Sequence, residues 1–84
     1  MVIIDVREPE EYARGHVDGA VNIPAAELSA SSYLHQLPKD EPLILYCVSG
    51  SRSHVAIQIL KSLGFTNLTN GINKYHVESH LKKN

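Results

Sequence analysis

The run Leu43-Ile44-Leu45-Tyr46-Cys47-Val48-Ser49-Gly50-Ser51-Arg52-Ser53 decides how the rest of the chain is read. Four apolar residues of strand length lead into the only cysteine of the sequence. A six-residue loop, 47–52, follows, and an apolar-striped run continues from there to Leu63. An apolar stretch passing directly into helical spacing reads as a buried strand followed by a helix. In open α/β sheets, ligands bind in the crevice outside the carboxyl ends of the strands. This spacing puts Cys47 there. A thiol at that point faces the amide N–H groups of the loop and the positive end of a helix dipole, and both favour thiolate over thiol. The expectation is a nucleophile in an anion cradle.

Beyond the loop, Val55, Ala56, Ile59, Leu60 and Leu63 share one helical face. Gly64 is placed to close that helix. Residues 65–69 read as a last short strand, Asn70-Gly71 as a turn, and 72–83 as a terminal helix with a polar end. Upstream, 38–42 is a polar connector. Residues 25–37 form one or two short helical pieces, with Leu28, Tyr33, Leu34 and Leu37 supplying apolar contacts and a weak break at 29–32. Residues 20–23 read as a short strand stopped by Pro24, after a turn at 16–19. Val2-Ile3-Ile4-Asp5-Val6 is too continuously apolar for a half-exposed edge and reads as a core strand. Residues 8–15 form a short helix with Pro9 in its first turn and three glutamates at its positive end. Strands alternating with helices at this spacing predict βαβ units on a parallel sheet, an α/β fold.

Eighty-four residues are expected to form one domain, 1–84. The composition, 43% hydrophobic and 20% charged, is that of a soluble globular chain, and a net charge of −1 provides no basic field for nucleic acid or an anionic membrane. No run has membrane-spanning length and no repeat is visible. A single cysteine needs no oxidising compartment, so a cytoplasmic location is expected; a mature periplasmic chain gives the same reading.

A lone cysteine at a strand end is often a small buried hydrophobe. Its neighbours here argue for chemistry. In Cys-x-x-Gly-x-Arg-Ser, Gly50 permits a tight turn, Ser49 and Ser51 add hydroxyls, and Arg52 is a permanent cation where helices usually prefer acids. Loop N–H groups curling around one sulfur form an anion nest. Cysteine phosphatases use Cys-x5-Arg to wrap a phosphate. Here the arginine falls one residue short, giving a smaller bowl better matched to a sulfane sulfur, and no leaving-group acid lies nearby in sequence. His54 follows Arg52 closely and reads as solvent-facing. His76 and His80 are four apart on the terminal helix without a third ligand or the His-Glu-x-x-His pattern, so no metal site is expected.

The chain resembles a single-domain rhodanese, a sulfurtransferase module. The matching stretches are Ile4-Asp5-Val6-Arg7-Glu8 with Glu11-Tyr12, Gly15-His16-Val17-Asp18-Gly19-Ala20-Val21-Asn22-Ile23-Pro24, and Tyr46-Cys47-Val48-Ser49-Gly50-Ser51-Arg52-Ser53, followed by Ala56, Leu60 and Gly64-Phe65. They run in the family's order over about residues 3–71. The resemblance implies a small three-layer domain with a mostly parallel sheet of about four strands flanked by helices. It also implies a Cys47 persulfide cradled by backbone amides. The family's usual strand and helix ahead of the Asp-x-Arg strand are missing here, so an uncovered sheet edge is expected. Asp5 and Arg7 occupy that signature and are expected to pair and anchor the loops around the site, with Glu11 and His16 as scaffold. The family's Gly-Gly and tryptophan stand here as Asn70-Gly71 and Tyr75.

The expected activity is transfer of a sulfane sulfur from a small anionic, thiosulfate-like donor to a thiol, cyanide or protein-cysteine acceptor. Val48, Ser49, Gly50, Ser51 and Arg52 would hold the Cys47 persulfide, with no metal or organic cofactor. The alternative is a catalytically weak interaction or redox-sensing module.

Overall fold

In the computed structural model, which describes residues 1–82, the chain runs β1 (Val2–Asp5), α1 (Pro9–Ala13), β2 (Val21–Asn22), a 3-10 helix (Ala25–Ala30), α2 (Ser32–His35), β3 (Leu43–Cys47), α3 (Ser51–Ser62), β4 (Leu68–Asn73) and α4 (Lys74–Leu81). All strand pairs are parallel, in the order β2-β1-β3-β4. From β1 the chain moves to one edge of the sheet, and from β3 to the other. The switch point therefore lies between β1 and β3, and the crevice at their carboxyl ends is where such sheets bind ligands. Asp5 and Cys47 close those two strands.

β3 is buried along its whole length, and its side chains alternate between two cores, as the pleat requires. Leu43, Leu45 and Cys47 join Ile4, Leu28, Leu34, Ala56 and Leu60 on the face covered by the 3-10 helix, α2 and α3. Ile44 and Tyr46 join Val17, Ala20 and Val77 on the face covered by α4, with Tyr12 of α1 packed alongside. The expected three-layer α/β architecture with four parallel strands is present. Among the described residues no helix is long and apolar enough to cross a membrane.

Local chemistry accounts for the element ends. α1 starts with a capping box between Glu8 and Glu11 and carries Pro9 in its first turn. The side chains of Ser31 and Asn73 accept N–H bonds at the starts of α2 and α4. α3 ends in a Schellman closure, with Gly64 N–H bonded to Lys61 O and Phe65 N–H to Leu60 O.

Local expectations change in several places, and the last strand, expected at 65–69, runs from Leu68 to Asn73. α3 begins at Ser51 rather than after Arg52, because Gly50 takes φ 93° and reverses the chain in three residues. Its buried face runs through Ser53, Ala56, Ile57 and Leu60, while Val55 is 54% exposed. Asn70-Gly71 is not a turn but a bulge inside β4: Leu45 pairs with Asn70 and Tyr46 with Ile72, so Gly71 is skipped. A Cβ at Gly71 would stand 2.5 Å from a Val77 methyl and 2.8 Å from an Ile44 methyl, so glycine meets a close approach there. The terminal helix begins at Lys74 rather than 72; its expected end at Lys83 lies outside the described residues.

Candidate active site

The Cys47 side chain points from the end of β3 toward α3 and is 2% exposed. Gly50 N–H donates to its Sγ at 3.1 Å and Ser53 N–H at 3.4 Å, and the Ser53 hydroxyl lies 3.5 Å away. Gly50 caps the twelve-residue helix α3 and Ser53 lies in its first turn, so the sulfur also sits at that helix's positive end. Burial pushes the thiol up, but the Ser53 hydroxyl and the amides of Ser53, Gly50 and Ser49 outweigh it and bring Cys47 down to about 7. The cradle thus favours the thiolate, the reactive form.

Expectation assigned the cradle to residues 48–52. Of these, Gly50 bonds the sulfur, and the second amide comes from Ser53, one residue beyond. Val48 is exposed at the mouth, and the hydroxyls of Ser49 and Ser51 face each other at 3.2 Å in an exposed position. Arg52 was expected to meet a bound anion. Its guanidinium instead engages Glu11 at both ends, at 2.8 and 3.0 Å, pinning α3 to α1. That guanidinium, with the Glu8 backbone, holds the Glu11 carboxyl down at about 2.

At the end of β1, the fully buried Asp5 carboxylate accepts Arg7 N–H, Nε and Nη2 at 2.7–3.1 Å and the Tyr46 hydroxyl at 2.8 Å. Arg7 also donates to Gly15 O at 2.7 Å, and Tyr46 Oη accepts Val17 N–H at 3.0 Å. This cluster ties the β1 end to the 15–17 turn. Burial, together with the bond to Asp5, pushes the Tyr46 phenol up to about 12, so it stays a donor. His16 stacks on Tyr12 with ring centroids 3.6 Å apart. His54, His76 and His80 are exposed.

Between the two strand ends opens a cleft of about 570 Å³. It is lined by Cys47 and Val48 from the end of β3, by Arg7, Glu11, Arg14 and Gly15 from the segment after β1, and by Asn73, Lys74 and Tyr75 where β4 passes into α4. Three of these side chains are cations; Arg7 is paired with Asp5 and Lys74 with Glu78, and the Glu11 carboxylate with Arg52, which leaves Arg14 without an ion-pair partner among the described residues. The sequence reading missed Ser53 as a sulfur ligand, Tyr46 as the Asp5 partner, and Arg14 and Lys74 as cleft residues. Only Ser53 carried a signal, since it lies one helical turn before Ala56 and Ile57 on the buried face of α3. The rest depend on which elements the fold brings together.

Residues 1–78 match the model of the rhodanese-like domain family. The chain is 39% identical over 67 residues to a thiosulfate sulfurtransferase of Escherichia coli K12, an alignment covering 80% of this chain and 64% of that protein. It thus spans less than two thirds of that relative. It is 36% identical over 85 residues to the thiosulfate:glutathione sulfurtransferase of Homo sapiens, covering 87% of this chain and 74% of that one. A solved rhodanese with anions from E. coli superposes with a TM-score of 0.81 at 35% identity, covering 89% of this chain and 88% of that one.

Proposed function

The chain belongs to the rhodanese-like family, and from that premise we propose that it is a sulfurtransferase carrying a sulfane sulfur on Cys47. One observation carries the reading: a buried sulfur that accepts two amides and meets a hydroxyl, which bring it down to about 7, at the edge of a cleft that opens between the two strand ends. The Cys47 thiolate attacks the outer sulfur of a thiosulfate-like donor. A Cys47 S–S bond forms, the donor's S–S bond breaks, and sulfite leaves with the bonding pair. A second nucleophile, a thiolate, cyanide or a protein cysteine, attacks the outer sulfur of the persulfide, and the Cys47 thiolate is released. Gly50 and Ser53 hold the sulfur. Arg52 acts by fixing α3, with Val48, Ser49 and Ser51 shaping the mouth, and Asp5 and Arg7 support the neighbouring loop. The names of the E. coli and human relatives favour thiosulfate as donor and a small thiol as acceptor. A single cysteine that works as a free thiolate suits a reducing, cytoplasmic setting.

Splitting the transfer through a covalent intermediate gives ping-pong kinetics. Initial rates with thiosulfate and cyanide varied together are expected to give parallel double-reciprocal lines. Intersecting lines would require both substrates bound at once and would contradict the mechanism.

A further inference from the structure

Asn70 stands at the β4 bulge, and its amide has one orientation that satisfies its surroundings. Oδ1 accepts Ile72 N–H at 2.9 Å, and Nδ2 donates to Gly50 O at 3.2 Å. Exchanging the two atoms would set a donor against a donor and an acceptor against an acceptor. Oδ1 therefore faces Ser53 Oγ, 2.7 Å away. The Ser53 side chain is fully buried and its hydroxyl has one hydrogen, yet it meets three acceptors: Asn70 Oδ1 at 2.7 Å, Gly50 O at 3.1 Å and Cys47 Sγ at 3.5 Å.

We propose that Asn70 is a positioning residue that competes with the Cys47 sulfur for the single hydroxyl proton of Ser53. When Cys47 is a thiol, its S–H donates to Ser53 Oγ, and Ser53 donates on to Asn70. Such a chain of hydrogen bonds is mutually strengthening, and it stabilises the neutral sulfur. When the sulfur ionises, the Ser53 hydroxyl turns toward it and leaves Asn70. In the persulfide the charge lies on the outer sulfur, Sγ is a weak acceptor, and the proton returns to Asn70. Ser53 thus supports the sulfur selectively in its free thiolate state, the attacking species of the first step and the leaving group of the second. Asn70 sets how strongly.

The charged groups facing the sulfur are Arg7, Glu11, Arg14 and Lys74 around the cleft and Arg52 on α3. Among the described residues none of them hydrogen-bonds Asn70 or Ser53, so replacing Asn70 leaves them in position.

The test is the pH dependence of iodoacetamide alkylation of the reduced chain. The persulfide step rests on the proposed sulfur transfer, but alkylation needs no sulfur donor. A chain that fails to load sulfur still reports this competition, and a chain without it can still load sulfur. In Asn70→Ala the midpoint is expected to fall by about half to one pH unit, the size of one neutral hydrogen bond. In a Ser53→Ala background, or Ser53→Gly if that variant does not fold, Asn70→Ala is expected to produce no further shift. An unmoved or raised midpoint in Asn70→Ala, or an equal fall without the Ser53 hydroxyl, would overturn the proposal.

Discussion

The two central strands end side by side, each presenting a group that carries negative charge, and the two ends are built in opposite ways. At the end of β1 the Asp5 carboxylate is saturated: a guanidinium, a backbone amide and a phenol all donate to it, and no solvent reaches it. At the end of β3 the Cys47 sulfur receives two amides and a hydroxyl that it shares with other acceptors. The nearest loop cation, Arg52, is occupied by Glu11. A charge met by a counter-ion and good hydrogen bonds is a structural fixture. One met by amides and a shared hydroxyl, with no ion pair, is stabilised without being saturated. Under the proposed transfer the first is scaffold and the second reagent, although both lie at equivalent places in the sheet.

Substitutions can break that contrast, and the largest effect is expected at the β1 end. Asp5→Asn leaves the mostly buried Arg7 cation without its partner, and breaking a buried pair costs roughly 3–5 kcal/mol. Urea unfolding is expected to show a loss near the low end of that range, while the alkylation midpoint of Cys47 stays near 7. A stable variant with a displaced midpoint would mean that the two ends do not divide their roles.

A smaller effect is expected at the β3 end. Gly50→Ala places a Cβ on a residue at φ 93°, 3.4 Å from an Ile72 methyl. The left-handed conformation costs an L-residue about 1–2 kcal/mol. Relief of that strain turns the Gly50 amide away from the sulfur, so the alkylation midpoint is expected to rise as stability falls. Loss of stability with an unchanged midpoint would remove Gly50 N–H from the cradle.

The smallest concerns the pair between the two regions. Glu11 and Arg52 are 28% and 40% exposed, so Glu11→Gln is expected to cost at most about 1 kcal/mol in the same unfolding assay at neutral pH. The Glu11 carboxyl is depressed in the folded state, so its contribution is complete above the unfolded value of about 4.3. It disappears as pH falls toward about 2. The wild-type chain should therefore lose its advantage over the variant across that acid window, and a constant gap would contradict the pairing.

Much of this arrangement can be read from the chain alone, and the exceptions have specific causes. Residues 43–47 announce a fully buried strand because all five side chains face one core or the other, and Gly64 marks the α3 closure by its place after the last helical turn. The start of α3 is less visible, since serine and arginine at 51 and 52 suit a loop or a first turn equally; the left-handed Gly50 decides between them. Asn70-Gly71 carries the local signature of a turn, but the approach of Val77 and Ile44 and the bonds of Asn70 to Gly50 and Ile72 build it into β4. The reach of Arg52 to Glu11, 41 residues away, depends on how α1 and α3 are brought together, which no local pattern encodes.

The most direct test of the central claim is the intact mass of the reduced protein before and after brief exposure to thiosulfate, with Cys47→Ser alongside. The account predicts a gain of one sulfur atom that cyanide or a thiol removes and that the serine variant never acquires. A folded chain with a titratable Cys47 that gains no sulfur from thiosulfate, polysulfide or mercaptopyruvate would contradict it.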